Sequence, residues 1–223
     1  MVALRGWHNV VVTAIRPVPR PIGGRFIRLE PLTPAQLPEL FGAIGHPEVF
    51  AGGYGGGPLG YRDNVDDFVE ISRDAFPWAT GNVYGVRVAS GPHEGTLVGT
   101  STLADFEPEV EHAHIGWTAY DPRVWGSQVN AEAKLLLLGL AFDSGFGRVK
   151  IQTDVLNDRS RAAILRLGAK FEGITRRARL RADGTWRDTV VFSILVDEWP
   201  DVRAGLESRL ERWADRPVVF RNR

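Results

Sequence analysis

The sequence predicts an α/β (α+β) fold with a mixed, mostly antiparallel central sheet, a parallel βαβ crossover and flanking helices. Two hairpin-like pairs of alternating apolar and polar segments are typical of antiparallel strands. From His112 onward the pattern changes to strand, helix, strand and helix, which is typical of a parallel crossover. With 223 residues, of which 43% are hydrophobic, the chain is long enough for one sizeable core.

Composition excludes several classes of protein. The 27 Lys and Arg residues balance 27 Asp and Glu residues, so we expect no nucleic-acid partner. The absence of cysteine excludes disulfides, thiolate metal sites and cysteine nucleophiles, and fits a reducing compartment. The longest apolar run, residues 135–142, is too short to span a bilayer, and the amino terminus has no cleavage signal after it. We therefore expect a soluble, cytoplasmic protein without a membrane partner.

The chain is predicted to have three parts. Residues 1–22 form an extension with a short strand at Val10–Ile15, followed by three alternating prolines that favour an extended link. Residues 23–200 form the main domain. Residues 201–223 form a carboxyl-terminal segment with an amphipathic helix over Asp201–Trp213 and a tail.

The main domain is predicted to begin with a strand and a helix, a glycine loop, a second helix and a hairpin. Thr33 and Pro34 supply an N-cap and first helical residue, and six glycines at positions 51–60 exclude regular structure there. Asp63 or Asn64 caps the second helix. The predicted bounds are 25–30 for the strand, 33–44 and 63–76 for the helices, and 83–89 and 96–105 for the hairpin strands; a last hairpin follows at 173–180 and 185–196.

The turn Arg123–Gln128 is the segment most suggestive of ligand binding. It contains Gly126, which permits a tight turn, and it opens directly into a helix. The first backbone N–H groups of a helix lack intrahelical partners and carry the positive end of its dipole. This turn is therefore a predicted anion site.

Six short motifs follow one another in a recognisable order across the second half of the chain. They are Trp125-Gly126, Glu132-Ala133, Asn157 with Ser160, Leu167-Gly168-Ala169, Glu172-Gly173 and Asp188. This order resembles the GNAT superfamily of acyl-CoA-dependent N-acetyltransferases, and within it the RimJ/RimL-type branch. The resemblance covers about residues 25–200, which it implies are a GNAT acyltransferase domain.

The resemblance implies acetyl-CoA as co-substrate and no metal. Family members bind the CoA pyrophosphate on the backbone amides of an Arg/Gln-x-x-Gly-x-Gly/Ala loop; Arg123 and Gly126 match this pattern, and Gln128 replaces the last small residue. A backbone N–H near residues 117–119 would polarise the thioester carbonyl. The implied cofactor-binding residues are Trp117, Thr118, Ala119, Arg123, Trp125, Gly126, Ser127, Gln128, Val129, Asn130 and Asn157.

The resemblance also implies catalytic roles. Ser160 is the candidate general acid for the leaving thiolate, because Ile164 stands where other members have a tyrosine; the alternative is that Ser160 is only a helix N-cap. Asn157 would hold the pantetheine or a carbonyl near the thioester, or serve as a turn residue. His114 is the candidate base, since a histidine accepts a proton at neutral pH. His112, Glu30, Glu111 or a water chain are the alternatives.

Several other residues admit structural interpretations. Glu132 is predicted to be a structural brace, and Lys134 to be solvated or to reach the phosphates. Asp188 is a structural or acceptor-side acid. Four tryptophans, Trp78, Trp117, Trp125 and Trp186, are candidates for an aromatic acceptor pocket, although tryptophans mostly serve core burial.

The predicted function is an acetyl-CoA-dependent N-acyltransferase that acts by direct attack of a primary amine within a ternary complex. The partner is a small-molecule or peptide amine, and a homodimer through the terminal helix or last hairpin is possible. A non-catalytic acyl-CoA sensor with the same fold is the alternative. A nucleotide-binding protein that uses the loop at residues 52–57 is a third hypothesis.

Overall fold

The computed structural model describes residues 14–221 and contains one eight-stranded sheet. Residues 10–13 of the predicted amino-terminal strand lie outside the described residues, and Ala14 and Ile15 are not in a strand. The strands are β1 (Ile22–Gly23), β2 (Ile27–Pro31), β3 (Asn82–Val88), β4 (Leu97–Glu107), β5 (His112–Tyr120), β6 (Arg148–Asp154), β7 (Lys170–Leu180) and β8 (Trp186–Leu195). The helices are α1 (Leu37–Ile44), α2 (Pro47–Ala51), α3 (Val65–Ala75), α4 (Val129–Asp143), α5 (Asp158–Leu167) and α6 (Trp199–Glu211).

The sheet is mixed, as predicted. Its order is β1-β2-β3-β4-β5-β6-β8-β7, and every neighbouring pair is antiparallel except β5 and β6. These two strands are parallel and joined through α4, and their pairing runs only from His112 opposite Arg148 to Ile115 opposite Ile151. Because β5 continues to Tyr120 without a partner on β6, a gap opens between the two strands at their carboxyl ends.

Two apolar clusters pack against the sheet. The larger contains buried side chains of α4 and α6, such as Leu137 and Leu206, and the smaller contains Leu40 and Phe68 from α1 and α3. Consecutive residues Val83 and Tyr84 of β3 belong to different clusters, as the alternation of side chains along a strand requires. The sheet is therefore covered on both faces, and the gap between β5 and β6 interrupts this packing.

The predicted strands and α-helices recur with bounds shifted by a few residues, and two short ones were missed. These are the two-residue strand β1 and the five-residue helix α2, both too short for a periodic pattern to reveal. The glycine-rich segment, expected to have no regular structure, contains 3₁₀ turns at Tyr54–Gly56 and Pro58–Gly60. The helix predicted from Thr33 begins instead as a 3₁₀ turn, Pro34–Gln36, that continues into α1. The terminal helix begins at Trp199, two residues earlier than predicted, because Trp199 is buried in the larger cluster.

Both ends of the described chain pack onto this core. Ala14 and Val218 are buried members of the larger cluster. Arg16 donates to Asn82 Oδ1 at 3.1 Å and to the Ala79 carbonyl at 2.9 Å. Within residues 14–221, no helix is both long and apolar enough to cross a membrane.

Candidate active site

A cleft of about 860 Å³ occupies the gap between β5 and β6. Its walls come from the carboxyl ends of these two strands, the starts of α4 and α5, and the β7–β8 hairpin. The glycine loop at residues 52–56 forms a further wall and reaches the hairpin, where the Ala182 N–H donates to the Gly56 carbonyl at 3.3 Å. Ligands commonly bind outside the carboxyl ends of parallel strands, which is where this cleft lies.

A β-bulge in β5 shapes one wall of the cleft. On β4, Thr100 is opposite Ala119 and Thr102 is opposite Gly116, so Trp117 and Thr118 together stand opposite Ser101 and neither is paired in the ladder. Trp117 has a φ of +48°, which is unusual for a bulky residue, and its indole N–H donates to the Ala75 carbonyl at 2.8 Å. The bulge lies beyond Ile115, the last residue of β5 that pairs with β6, so it borders the gap between the two strands.

Lys134 lies buried beneath this bulge. Its Nζ donates to Thr118 Oγ1 at 2.8 Å and to Ser101 Oγ at 3.1 Å, and these two hydroxyls are 2.7 Å apart. Burial lowers the pKa of Lys134 to about 7. The prediction of a solvated or phosphate-directed lysine is wrong, because α4 turns this side chain toward the sheet, where it supports the bulge.

The predicted anion turn forms a second wall. Gly126 has a φ of +71°, a conformation that favours glycine, and α4 begins three residues later at Val129. Trp125, Gly126, Ser127 and Asn130 line the cleft. A Cβ added at Gly126 would lie 3.5 Å from a guanidinium nitrogen of Arg221, so the carboxyl-terminal tail brings a positive charge to the turn.

Three residues of the predicted phosphate contact point elsewhere. The Arg123 guanidinium binds Asp121 Oδ2 at 2.6 Å, and its backbone N–H donates to Asp121 Oδ1 at 2.8 Å. Gln128 is buried, and its Nε2 donates to the Arg216 carbonyl at 3.3 Å. Val129 is buried in the core. None of the three lines the cleft. Arg123 is held by Asp121, and Gln128 by the carbonyl of Arg216 in the carboxyl-terminal tail.

Asn157 and Ser160 both line the cleft, but their structural roles differ from the prediction. Asn157 is the N-cap of α5, with its Oδ1 accepting the Ser160 backbone N–H at 2.9 Å. Ser160 is therefore not the cap, since the helix already begins at Asp158. Across residues 14–221 the Ser160 hydroxyl forms no hydrogen bond, so it is available to a ligand in the cleft.

His114 forms a pair with Asp105, a residue that the sequence analysis did not select. Nδ1 of His114 is 2.8 Å from Asp105 Oδ2, and Nε2 is buried without a hydrogen-bond partner among the described residues. The imidazole lies against Gly116, where an added Cβ would approach it to 2.7 Å. Burial lowers the pKa of His114, although the hydrogen bond to Asp105 opposes this effect.

This pairing determines where the proton of the neutral imidazole lies. The hydrogen bond to His114 holds the pKa of Asp105 below its usual range, so the carboxylate is ionised and can only accept. Nδ1 must then carry the hydrogen, which leaves the lone pair on Nε2. His114 is thus neutral at pH 7, and its buried Nε2 has a lone pair that is able to accept a proton.

The alternative bases lie outside the cleft lining. Glu30 accepts from Arg28 Nε at 2.6 Å and from Arg87 Nε at 2.8 Å, which commits both carboxylate oxygens. Glu111 occupies a left-handed turn after Pro108–Val110, and His112 faces Arg148 at the start of the parallel pairing. Of the protein candidates, only His114 lines the cleft.

The structure also shows the contacts of Glu132 and Asp188 and the positions of the four candidate tryptophans. The prediction for Glu132 is confirmed, because its carboxylate accepts the backbone N–H groups of Arg25, Phe26 and Ile27 at 2.7 Å each. Asp188 accepts the Arg177 N–H at 2.7 Å and so has a structural role. Of the four tryptophans, Trp117 and Trp125 line the cleft, and Trp78 and Trp186 do not.

Comparison with known proteins identifies the family. The model of the acetyltransferase (GNAT) domain matches residues 27–170. The chain belongs to the GNAT acetyltransferase family. A search of curated proteins finds no significant match.

Solved structures agree with this assignment. A structure from T. thermophilus, assigned as an acetyltransferase, is 33% identical over 88% of this chain and 100% of that one, with a TM-score of 0.73. A GCN5-related N-acetyltransferase from Brucella melitensis is 25% identical over 88% of this chain and 87% of that one, with a TM-score of 0.76. The microcin C7 self immunity acetyltransferase MccE, solved with acetyl-CoA and AMP, is 20% identical over 76% of this chain and 92% of that one; its TM-score of 0.61 shows the shared fold.

Membership of the family indicates acyl-CoA-dependent acetyl transfer as the activity of this chain. GNAT acetyltransferases use acetyl-CoA as the acetyl donor. The RimJ/RimL-type branch stays a prediction: a ribosomal-protein-serine acetyltransferase from Vibrio cholerae is similar, but at 23% identity and a TM-score of 0.61 it shows only the shared fold. Across residues 14–221, no group of three or more histidines and acids is arranged to hold a metal ion.

Proposed function

We propose that this chain is an acetyl-CoA-dependent N-acyltransferase that transfers an acetyl group to a primary amine by direct attack within a ternary complex. The observation that carries the proposal is the His114–Asp105 pair in the wall of the cleft. Its unpartnered Nε2 is a base on the strand whose bulge borders the gap between β5 and β6. Amine acylation requires such a base, because an ammonium ion cannot attack a thioester.

The described residues fit CoA. The turn at Gly126 approaches a ligand without a Cβ, and α4, which has 15 residues, presents the positive end of its dipole there. Arg221 adds a guanidinium beside the same turn. We infer that Gly126, Ser127 and Asn130 hold the pyrophosphate, and that the gap between β5 and β6 takes the pantetheine.

The bulge supplies the electrophilic part of the site in this proposal. A backbone N–H of residues 117–119 donates to the thioester carbonyl oxygen and stabilises the negative charge that develops on it during attack. Trp117 and Thr118 suit this role because neither is paired in the ladder with β4. Lys134 and Ser101 hold the Thr118 side chain in place from below.

Two side chains move protons in the proposed reaction. Nε2 of His114 accepts a proton from the acceptor amine as the new N–C bond forms. The C–S bond then breaks, and the Ser160 hydroxyl donates a proton to the leaving thiolate. The serine oxygen takes up a proton from solvent and His114 releases its proton to solvent, which restores both side chains. This chemistry requires no metal, since the base, the oxyanion donor and the acid are all groups of the chain.

The same proposal extends to the setting of the reaction. The acceptor is a small-molecule or peptide amine, the protein acts in the cytoplasm, and neither nucleic acid nor a membrane is a partner. A homodimer through the last hairpin is a further proposal, since exposed apolar side chains such as Phe171, Ile174 and Leu180 lie along β7. A non-catalytic acyl-CoA sensor is the rival function that the experiments below distinguish.

A thermal-shift measurement with CoA tests the cofactor site. Gly126→Glu should abolish stabilisation by CoA, because it adds a carboxylate at the pyrophosphate turn. Gly95→Glu is the matched control: Gly95 has a φ of +78°, has no atom within 4 Å of an added Cβ, and lies outside the cleft lining. If both variants respond to CoA like the wild-type protein, the assignment of the turn is wrong.

Release of free thiol from acetyl-CoA tests the enzyme. Panels of amines, amino acids and short peptides should include at least one acceptor that releases thiol in the wild-type protein. His114→Gln should reduce this release while CoA stabilisation is retained. A wild-type protein that binds CoA and releases no thiol with any acceptor would instead support the sensor.

A further inference from the structure

The acceptor end of the cleft carries an unusual group of arginines. Arg179 and Arg181 of the β7 side and Arg187 of β8 all line the cleft next to the hairpin turn. Asp188 accepts the N–H of Arg177, which has a φ of +49°, and the register of β7 shifts around this point. The shift brings Arg179 directly opposite Arg187 across the two strands.

This arrangement is electrostatically unfavourable without a ligand. Like charges directly opposite each other on an antiparallel pair destabilise the sheet. Across residues 14–221, the Arg179 side chain forms no hydrogen bond or ion pair, and Nε of Arg187 is buried without a hydrogen-bond partner. Burial lowers the pKa of Arg187, and the charges of Arg179 and Arg181 act in the same direction.

The nearby acid does not neutralise the group. Both oxygens of Asp154 are bound by Arg181 at 2.9 Å, and one also accepts the Leu156 N–H at 3.0 Å. Arg187 Nε remains 4.0 Å from Asp154 Oδ2. Asp154 is therefore shared unequally: Arg181 engages both of its oxygens, whereas Arg187 lies at the limit of an ion pair with it.

Arg179 lies close enough to the proposed base, His114, to affect its electrostatics. The positive charges of Lys150 and Arg179 both oppose protonation of His114 and both stabilise the Asp105 carboxylate. Lys150 Nζ is 3.7 Å from Asp105 Oδ2. The turn at Gly126 belongs to a different wall and has Arg221 beside it, so the CoA pyrophosphate does not account for Arg179 and Arg187.

We propose that the acceptor is an amine that also carries an anionic group, a carboxylate or a phosphate, which Arg179 and Arg187 bind while the amine faces His114. This inference rests on the proposed N-acyltransferase function and adds the substrate class. Two guanidiniums side by side match the geometry of a carboxylate or phosphate, which accepts paired N–H donors. The anion would also relieve the repulsion between the two arginines.

A binding experiment tests the anion site without turnover. Protein saturated with CoA, so that the turn at Gly126 is occupied, is titrated with succinate, with inorganic phosphate and with neutral succinamide. Succinate and phosphate should bind, and succinamide should not. Arg187→Gln and the exposed-site variant Arg179→Gln should each weaken anion binding by about tenfold or more, the scale of one lost charge-assisted pair.

Arg176→Gln is the matched control, because Arg176 is an exposed arginine of the same strand and lies outside the cleft lining. It should bind the anions like the wild-type protein. Three results would overturn the inference: no binding of either anion, equal binding in all variants, or a loss of CoA affinity in the Arg179 and Arg187 variants, which would assign these arginines to CoA.

Turnover with matched amines gives the second readout. β-Alanine should be preferred over β-alaninamide, and the amidated dipeptide Ala-Asp-NH₂ over Ala-Asn-NH₂, in which only the former carries a carboxylate. Arg187→Gln should remove each preference by raising KM for the anionic member alone. Equal rates within each pair in the wild-type protein would refute the substrate class and leave the acyltransferase intact. Anion binding without thiol release for any amine would refute the acyltransferase and leave the anion site intact.

Discussion

At the scale of single residues, the pair His114 and Asp105 determines the expected pH dependence. Burial lowers the pKa of His114 below its ordinary value, so the base is already neutral at pH 7. We expect kcat at saturating acceptor, which reports ionisations of the bound complex, to rise with pH through a pKa below about 6.5 and then to reach a plateau. A steady-state pH profile measures this; an acid limb centred well above the ordinary histidine value would contradict His114 as the base.

Asp105→Asn separates positioning from proton transfer. The hydrogen bond that His114 Nδ1–H donates to Asp105 raises the pKa of His114, so its removal should move the acid limb to lower pH. The same change removes the carboxylate that fixes the hydrogen on Nδ1, and kcat should fall by roughly 10- to 100-fold. A lower plateau of kcat without any shift of the acid limb of its pH profile would indicate that Asp105 supports the fold and does not affect the pKa of His114.

Asn157 and Ser160 provide a second test, because the structure assigns the helix cap to one and leaves the hydroxyl of the other free. Asn157→Ala should lower the free energy of unfolding by about 1 kcal/mol, the usual contribution of an N-cap. Ser160→Ala should leave stability and CoA binding unchanged and reduce kcat. Urea unfolding and thiol release measure the two effects, and a destabilised Ser160→Ala would contradict this division of roles.

Some residues of the candidate site could be predicted from the sequence and others could not. His114 could be selected because a histidine accepts a proton at neutral pH. Asp105 could not, because it comes into contact with His114 only through the strand register that places Ala104 opposite His114. The side-chain directions of Arg123 and Gln128 were equally unpredictable, since each depends on a partner, Asp121 or Arg216, whose position the tertiary fold decides.

At the scale of elements, the bulge in β5 and the helix α4 depend on each other through Lys134. Two hydroxyls, one from β4 and one from the bulge, take up the hydrogen bonds of a lysine that has no acidic partner among the described residues. Burial lowers its pKa from 10.5 to about 7. The boundaries of the elements could be predicted from periodicity and capping. The bulge could not, because no sequence pattern marks two consecutive strand residues that lack partners in the ladder.

This lysine makes stability depend on pH in a definite direction. Below pH 7 the buried cation lowers the stability of the folded state, and between about pH 7 and 10.5 the unfolded chain binds more protons than the folded one, so stability should rise with pH. Lys134→Met should remove this dependence. The unfolding free energy of the variant minus that of the wild-type protein should fall by about 2 to 3 kcal/mol from pH 7 to 9.5, because only the wild-type protein gains stability, at 1.36 kcal/mol per pKa unit.

Urea denaturation of both proteins at the two pH values measures this difference, and other titrating groups cancel in the comparison. Thiol release by the same variant then reports on the bulge. If Lys134 positions Thr118, kcat should fall although the protein is no less stable. A pH-independent difference in unfolding free energy would show that Lys134 is charged throughout this range in the folded state.

At the scale of the whole molecule, segments distant in sequence complete the cleft. The glycine loop of residues 52–56 meets the hairpin at Ala182, and the carboxyl-terminal tail crosses the start of α4. Within that tail, Val218 is buried, Phe220 stacks on His93 at 3.9 Å, and the Arg221 N–H donates to the Arg123 carbonyl at 3.1 Å. These contacts could not be predicted, since the tail has no periodic pattern and its partners lie in unrelated turns.

The tail therefore allows a test of how the whole molecule builds the CoA site. Arg221→Gln removes the guanidinium beside Gly126 and leaves Val218 and Phe220 in place, so we expect an unchanged Tm and a CoA affinity that is about 3- to 10-fold weaker, in line with one exposed phosphate contact. Val218→Asp instead places a charge in the core and should lower the Tm and loosen the tail. Calorimetric titration with CoA and with dephospho-CoA measures both variants. If Arg221 contacts the pyrophosphate, its loss should weaken both ligands equally, whereas a loss confined to CoA would assign Arg221 to the ribose phosphate.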